Sequence, residues 1–234
     1  INSELLRRNK LPIDCVVRSG TLSDVLRTAE WTQTNAHECA VLTPGNSWGF
    51  MNGGFDQAII DAINIPSSTL QQHILKANHG YVPVGTSTAI SLAALDEDYA
   101  STCACTHAKL TTLVHCPTMV VPEPIADNAQ TVIFDVVWNF LQAVSPHYYN
   151  LLIPGIGTGY GQVPTETASQ HILAAILIHS LDISPLTRAL LVSDYLNKDY
   201  RAFGHARDLK LIALIRKNLD SDADNLWGKL LNGV

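Results

Sequence analysis

The chain carries few charges and no concentration of positive ones. Lysine and arginine number 15 against 21 aspartates and glutamates in 234 residues, a formal net charge of −6. Without a broad basic field, nucleic-acid binding by phosphate neutralisation is not expected, and any phosphate recognition has to rest on backbone N–H groups. No run of about 20 apolar residues occurs, which argues against a membrane-spanning helix, and no signal-peptide pattern is seen. Five cysteines, an odd number without framework spacing, do not make a disulfide scaffold and fit a reducing compartment. The expected location is therefore intracellular, cytoplasmic or nuclear. Two common phosphate signatures are also missing: there is no Walker A loop with Lys directly after its last Gly, and no G-x-G-x-x-G.

What is present is a stretch from Val41 to Ile60, reading VLTPGNSWGFMNGGFDQAII. An apolar run, Cys39 to Leu42, gives way to Pro44 and Gly45, then to a loop with Gly49, Gly53 and Gly54, and helix-like residues resume at Phe55. A strand, a glycine-rich loop and a helix in that order can present N–H groups to an anion at the helix start. A loop with merely flexible glycines is the alternative. Asn46 and Asp56 add an amide and a carboxylate, which can bind sugar hydroxyls or orient a water.

Elsewhere the chain alternates strand-like and helical segments. Asp14 to Arg18 reads as a strand and is followed by a helix start at Ser19-Gly20-Thr21. Val84 to Ile90, Leu113 to Val121 and Arg188 to Ser193 also read as strands, and Thr131 to Val144 as a core-facing helix with Trp138 as a further core candidate. Leu151 to Pro154 is a short buried strand that runs into Gly155 to Pro164. Four glycines in that second loop, followed by a helix over Thr165 to Ser180, repeat the chemistry of the first. Two such turns at the carboxyl ends of buried strands can face each other across one crevice. Cys103, Cys105 and His107 form a C-x-C-x-H cluster without an evident fourth ligand, so no metal is assigned. Asp208 to Leu219 reads as a closing amphipathic helix, and Ser221 to Val234 as a tail that could dock through Trp227.

The first loop resembles the signature of macro domains, the ADP-ribose-binding modules, which runs N-A-A-N and then G-G-G-V-D-x-A-I. Asn46 falls on the second Asn, Gly53, Gly54 and Phe55 on the end of the G-G-V run, and Asp56 on the Asp; Thr43 stands where the first Asn would be. The second loop resembles the diphosphate loop S-T-G-I-Y-G-Y-P, with Gly157, Thr158 and Gly159 on its first positions, Tyr160 on Ile, Gly161 on Tyr and Pro164 on Pro. Its form is closer to the ADP-ribose-1″-phosphate phosphatase-like and deglutamylating branch. His115 matches a family His that is usually buried and hydrogen-bonded, and no catalysis is assigned to it.

The resemblance implies a three-layer α/β/α macro domain with a mixed central sheet, a single domain over 1–234 with its core at about 15–210, an N-terminal extension and a C-terminal helical tail. It implies ADP-ribose or a derivative as ligand, mono-ADP-ribosylated proteins among possible partners, and no cofactor. Asn46 and Asp56 take the catalytic positions. The ligand positions are Thr21, Gly53, Gly54, Phe55, Gly157, Thr158, Gly159, Tyr160, Gly161 and Tyr195. Thr21 stands where an Asp would contact adenine, with helix initiation as its other reading, and Tyr195 is the aromatic that would stack on adenine. A hydrolase acting at the distal ribose and a non-catalytic reader both remain open.

Overall fold

The computed structural model describes residues 16–27, 39–96, 110–144 and 150–215. These fall into two compact units, one spanning Ser19–Ile172 and the other holding residues 16–18 and 173–215. Cys103, Cys105, His107 and Trp227 lie outside the described residues.

The larger unit is built on a four-stranded mixed sheet. Its strands are β1 (Cys39–Thr43), β2 (Thr88–Ser91), β3 (Leu110–His115) and β4 (Asn150–Leu152), in the order β2-β3-β1-β4. β1 pairs in parallel with β3 and β4, whereas β2 runs antiparallel to β3. The central strand CAVLT is buried along its whole length, as expected for a parallel strand covered on both faces. Its alternate residues Cys39 and Val41 join Ile59, Ile63, Leu70, Ile74, Ile90 and Leu113 in one apolar cluster.

Helices α1 (Leu22–Arg27), α2 (Gly54–Ile63) and α3 (Ser67–Ala77) feed that cluster. Asn64 ends α2 in the left-handed conformation at φ 56°, with its N–H donating to the Ile60 carbonyl, and Pro66 then separates it from α3. Helix α4 (Ala129–Val144) buries Ile133, Phe134, Val136, Val137, Phe140, Leu141 and Val144, the helical stripe that its sequence predicts. Trp138 stacks on Phe134 with ring centroids 5.5 Å apart. Helix α5 (Thr165–Ser180) follows the second glycine loop.

Four expected strands are corrected. Residues 16–18 form no strand, Val16 and Val17 are 66% and 59% exposed, and no ladder receives them among the described residues. The strand expected from Val84 is confined to Thr88–Ser91, since Gly85 turns at φ 82°. The strand expected to reach Val121 stops at His115; Pro117, which has no N–H, follows, and Val120 and Val121 are exposed. Arg188 to Ser193 is not a strand but the middle of α6 (Pro185–Tyr195). Ser184 caps that helix by accepting the Thr187 N–H, and Pro185 occupies its first turn. Tyr195 therefore closes a helix instead of following a strand. The closing helix is present over residues 206–215, and Thr187 Oγ1 donates to Asp208 Oδ1 at 2.9 Å within the smaller unit.

Phe140, among the largest fully buried side chains, tests the packing of α4. Phe140→Ala is expected to cost about 3–5 kcal/mol, read as a lower midpoint in urea unfolding.

Candidate functional site

The parallel β1/β3 register places Thr43 beside His115 at the carboxyl ends of both strands. Backbone pairing continues past those ends. Cys116 N–H donates to the Thr43 carbonyl at 2.9 Å, Thr118 N–H to Gly45 at 3.0 Å, and Ser47 N–H to Met119 at 2.9 Å. The loop after β1 is thus zipped to the segment after β3.

Asn46 is the hub of that loop. It is buried, and its Oδ1 accepts the Trp48 N–H at 3.1 Å and the Phe50 N–H at 3.4 Å, while its amide nitrogen donates to the Phe50 carbonyl. Its backbone carbonyl accepts from Gly49 N–H and from His115 Nε2, both at 3.0 Å. The side chain expected to meet a ligand is engaged in holding its own loop.

Asp56 sits in the first turn of α2, but it does not cap that helix. The cap residue Gly53 receives no side-chain bond, and Asp56 Oδ1 instead accepts a hydrogen bond from the Thr43 hydroxyl. Desolvation raises the Asp56 pKa to about 6, against which the Thr43 bond works. His115, fully buried, is pushed down to about 4 by desolvation, opposed by its bond to Asn46. A Cβ on Gly45 would lie 2.9 Å from both Asp56 Oδ2 and His115 Cε1, so only glycine lets carboxyl and ring approach the strand end together.

The first glycine loop ends in a helix start. Gly54 takes φ 56°, and the first described intrahelical donor is Gln57, to the Gly53 carbonyl, which leaves the N–H groups of Gly54, Phe55 and Asp56 without an acceptor among the described residues. The Phe55 side chain packs against the core and stays partly exposed.

The second loop is folded by its own backbone. Thr158 donates from Oγ1 to the Gly155 carbonyl at 2.8 Å, Val163 N–H to Gly157, and Gln162 N–H to Gly159. Among the described residues, the N–H groups of Gly157, Gly159, Tyr160 and Gly161 meet no protein acceptor. Tyr160 is 66% exposed, yet its ring reaches the other loop: a Cβ on Gly53 would lie 3.6 Å from the Tyr160 hydroxyl. The structure therefore brings Tyr160 of the second loop beside Gly53 of the first. Two sets of N–H groups without a described protein acceptor, with a carboxyl beside the first, can hold a phosphate or diphosphate and orient a water.

Thr21 is spent at the start of α1. Its hydroxyl donates to Asp24 Oδ2 at 2.6 Å and accepts the Asp24 N–H, and its backbone N–H also bonds that carboxyl. The Thr21 hydroxyl bond, followed by the backbone one, holds the Asp24 pKa below its usual value. Tyr195 lies in the smaller unit and is described there alone. His115 is buried and hydrogen-bonded as expected, whereas the close approach at Gly45 is signalled only by the P-G pair.

A family profile described as macro-like domain matches residues 16–221. Among solved structures, the chain is similar to the macrodomain of Mycobacterium tuberculosis DarG, at 15% identity and a TM-score of 0.50, covering 71% of this chain and 91% of that one. It is also similar to the Oceanobacillus iheyensis macrodomain, in a mutant with ADPR at 16% identity and TM-score 0.49, covering 67% and 77%. The same protein with ADP gives 18% and 0.46, covering 59% and 67%.

Two predictions follow from the geometry. A Cβ on Gly161 would meet the Gly157 carbonyl at 2.6 Å and Ile125 at 2.9 Å, whereas one on Gly159 would meet nothing within 4 Å. Gly161→Ala is expected to lose about 2 kcal/mol or more and Gly159→Ala less than about 0.5 kcal/mol, measured by denaturant unfolding. The second concerns pH. Asp56 holds its proton more tightly folded than unfolded, so its contribution to stability falls as pH rises from 3.8 to about 6. His115 has the opposite sign, its contribution being lost as pH falls from 6.5 to about 4. The slopes oppose each other in the shared window. Asp56→Asn should leave stability falling toward acid more steeply than in the parent, by roughly 2–3 kcal/mol across the window. Unfolding curves at intervals from pH 4 to 7 would show it.

Proposed function

The chain belongs to the macro-like domain family, and from that premise we propose that it binds ADP-ribose and hydrolyses an ADP-ribose derivative at the distal ribose. The observation that carries the binding part is the pair of loops with N–H groups that meet no described protein acceptor, joined where the Tyr160 hydroxyl approaches Gly53. In this reading the diphosphate lies between Gly53–Asp56 and Gly157–Gly161, and its charge is met by backbone dipoles. Thr21 is the adenine-side position within the larger unit, and Asn46 lies on the distal-ribose side. The substrates proposed are ADP-ribose-1″-phosphate, in keeping with the phosphatase-like and deglutamylating branch, and mono-ADP-ribosyl esters on proteins.

For hydrolysis, Asp56 is the group able to take a proton from an attacking water. With a pKa near 6 it is mostly ionised at neutral pH and still basic enough to accept, the balance that general-base catalysis needs. Water then forms a bond to the anomeric carbon as the bond to the leaving oxygen breaks. Two observations favour the second reading, a non-catalytic reader. Thr43 occupies the position of the family's first Asn, and the Asn46 side chain is already bonded to Trp48 and Phe50.

Calorimetry with ADP-ribose, followed by turnover assays on ADP-ribose-1″-phosphate and a mono-ADP-ribosylated protein, separates the readings. Gly159→Glu is expected to fold and to lose ADP-ribose binding by at least about 100-fold, because a carboxylate enters the open cradle; unchanged affinity would overturn the loop assignment. Asp56→Asn should bind but turn over roughly 10²–10⁴ times more slowly. A folded Asp56→Asn with full turnover removes the general base, and a parent that binds but turns over neither substrate supports the reader.

A further inference from the structure

His115 is fully buried, is paired with Thr43, whose hydroxyl bonds Asp56, and uses only one of its two ring nitrogens. Nε2 lies 3.0 Å from the backbone carbonyl of Asn46, whereas Nδ1 has no partner. A carbonyl can only accept, so Nε2 carries the proton and Nδ1 is a bare lone pair. That carbonyl also takes the Gly49 N–H, and the Asn46 side chain takes the Trp48 and Phe50 N–H groups. Asn46 thus gathers the turn of the first loop, and His115 is the one side chain described as bonding to its backbone from the sheet.

We infer that His115 is a positioning residue for the first anion-binding loop, its Nε2–H pinning the Asn46 carbonyl so that the loop from Asn46 to Phe50 stands in its ligand-ready shape. The β-sheet supplies the reference frame, since His115 is fixed by its pairing with Thr43 across β1 and β3. Gly45 leaves room for the ring and for the Asp56 carboxyl, since a Cβ there would lie 2.9 Å from both His115 Cε1 and Asp56 Oδ2. Its burial keeps it neutral, and a neutral ring in one tautomer is a fixed strut rather than a switch at ordinary pH.

The effect on ligand rests on the ADP-ribose reading, whereas the pin itself is read without ligand. In the parent, nitrogen-15 NMR of the His115 ring should show a protonated Nε2 and an unprotonated Nδ1, unchanged from pH 6 to 8. A protonated Nδ1, or titration in that range, overturns the inference whether or not any variant folds. His115→Leu should then speed hydrogen exchange of the Trp48 and Phe50 amides and weaken ADP-ribose roughly three- to tenfold, the scale of one lost hydrogen bond. His115→Gln, whose amide nitrogen can reach the place of Nε2, should restore most of the protection and affinity. If both variants lower the unfolding midpoint equally while leaving those amides and the affinity unchanged, His115 is only core filling. If the parent does not bind ADP-ribose, the functional reading fails, and the tautomer and exchange results still decide the pin.

Discussion

The parallel pairing of β1 with β3 is the constraint on which the site depends. It does more than hold the sheet, because its hydrogen bonds continue beyond both strands through Cys116, Thr118 and Ser47. A loop held in this way at its base does not need to be rigid in itself. Its residues are delivered in register, Thr43 beside His115 and Asn46 beside Met119. The same pairing directs Asp56 inward: the Thr43 hydroxyl is the donor that reaches it, and an apolar side chain at that position would leave a partly buried carboxyl without its bond.

Glycine serves separate purposes in the two loops. Gly54 needs a positive φ where the chain enters α2, although a Cβ there would meet no atom. Gly161 needs no special φ, but its backbone lies against the Gly157 carbonyl, and space alone excludes a side chain. Gly159 requires neither. A glycine free of both constraints, in a loop otherwise closed by its own hydrogen bonds, keeps the surface open at the point where the N–H groups emerge.

The sequence made the fold class and the two glycine loops legible, but not the side-chain pairing around them. Both glycine loops, the helices after them and the central strand were readable because turn chemistry and continuous apolar runs are local signals. The errors lay where an apolar run could take either form. Arg188 to Ser193 has no strand neighbour among the described residues, while Ser184 and Pro185 supply a helix start, and that cap outweighs the run of leucine and valine. Val16 and Val17 show the converse, β-prone residues left exposed because strand formation requires a partner that sequence alone does not identify. The Thr43–Asp56 bond and the Asn46 hub were illegible for a related reason: spacing brings side chains to one loop, but only the folded backbone decides which of them bond to each other.

The electrostatics of the site follow from what its loops omit. Residues 44–55, 80–86, 116–122 and 153–164 contain no lysine or arginine, so an anion held there would be met by oriented neutral dipoles alone. Asp56 is the exception in sign, a carboxyl at the same helix start that offers its N–H groups. An ionised Asp56 and a bound diphosphate repel each other, and by linkage each disfavours the other. Its raised pKa eases that conflict, since near neutral pH protonation is within reach at little cost. Binding and proton abstraction then make opposite demands on one group: the protonated form admits the anion more readily, and only the ionised form can act as a base. A site that binds without reacting has no need of the second demand, so the proton taken up or released by Asp56 on binding bears directly on which of the two roles this chain fulfils.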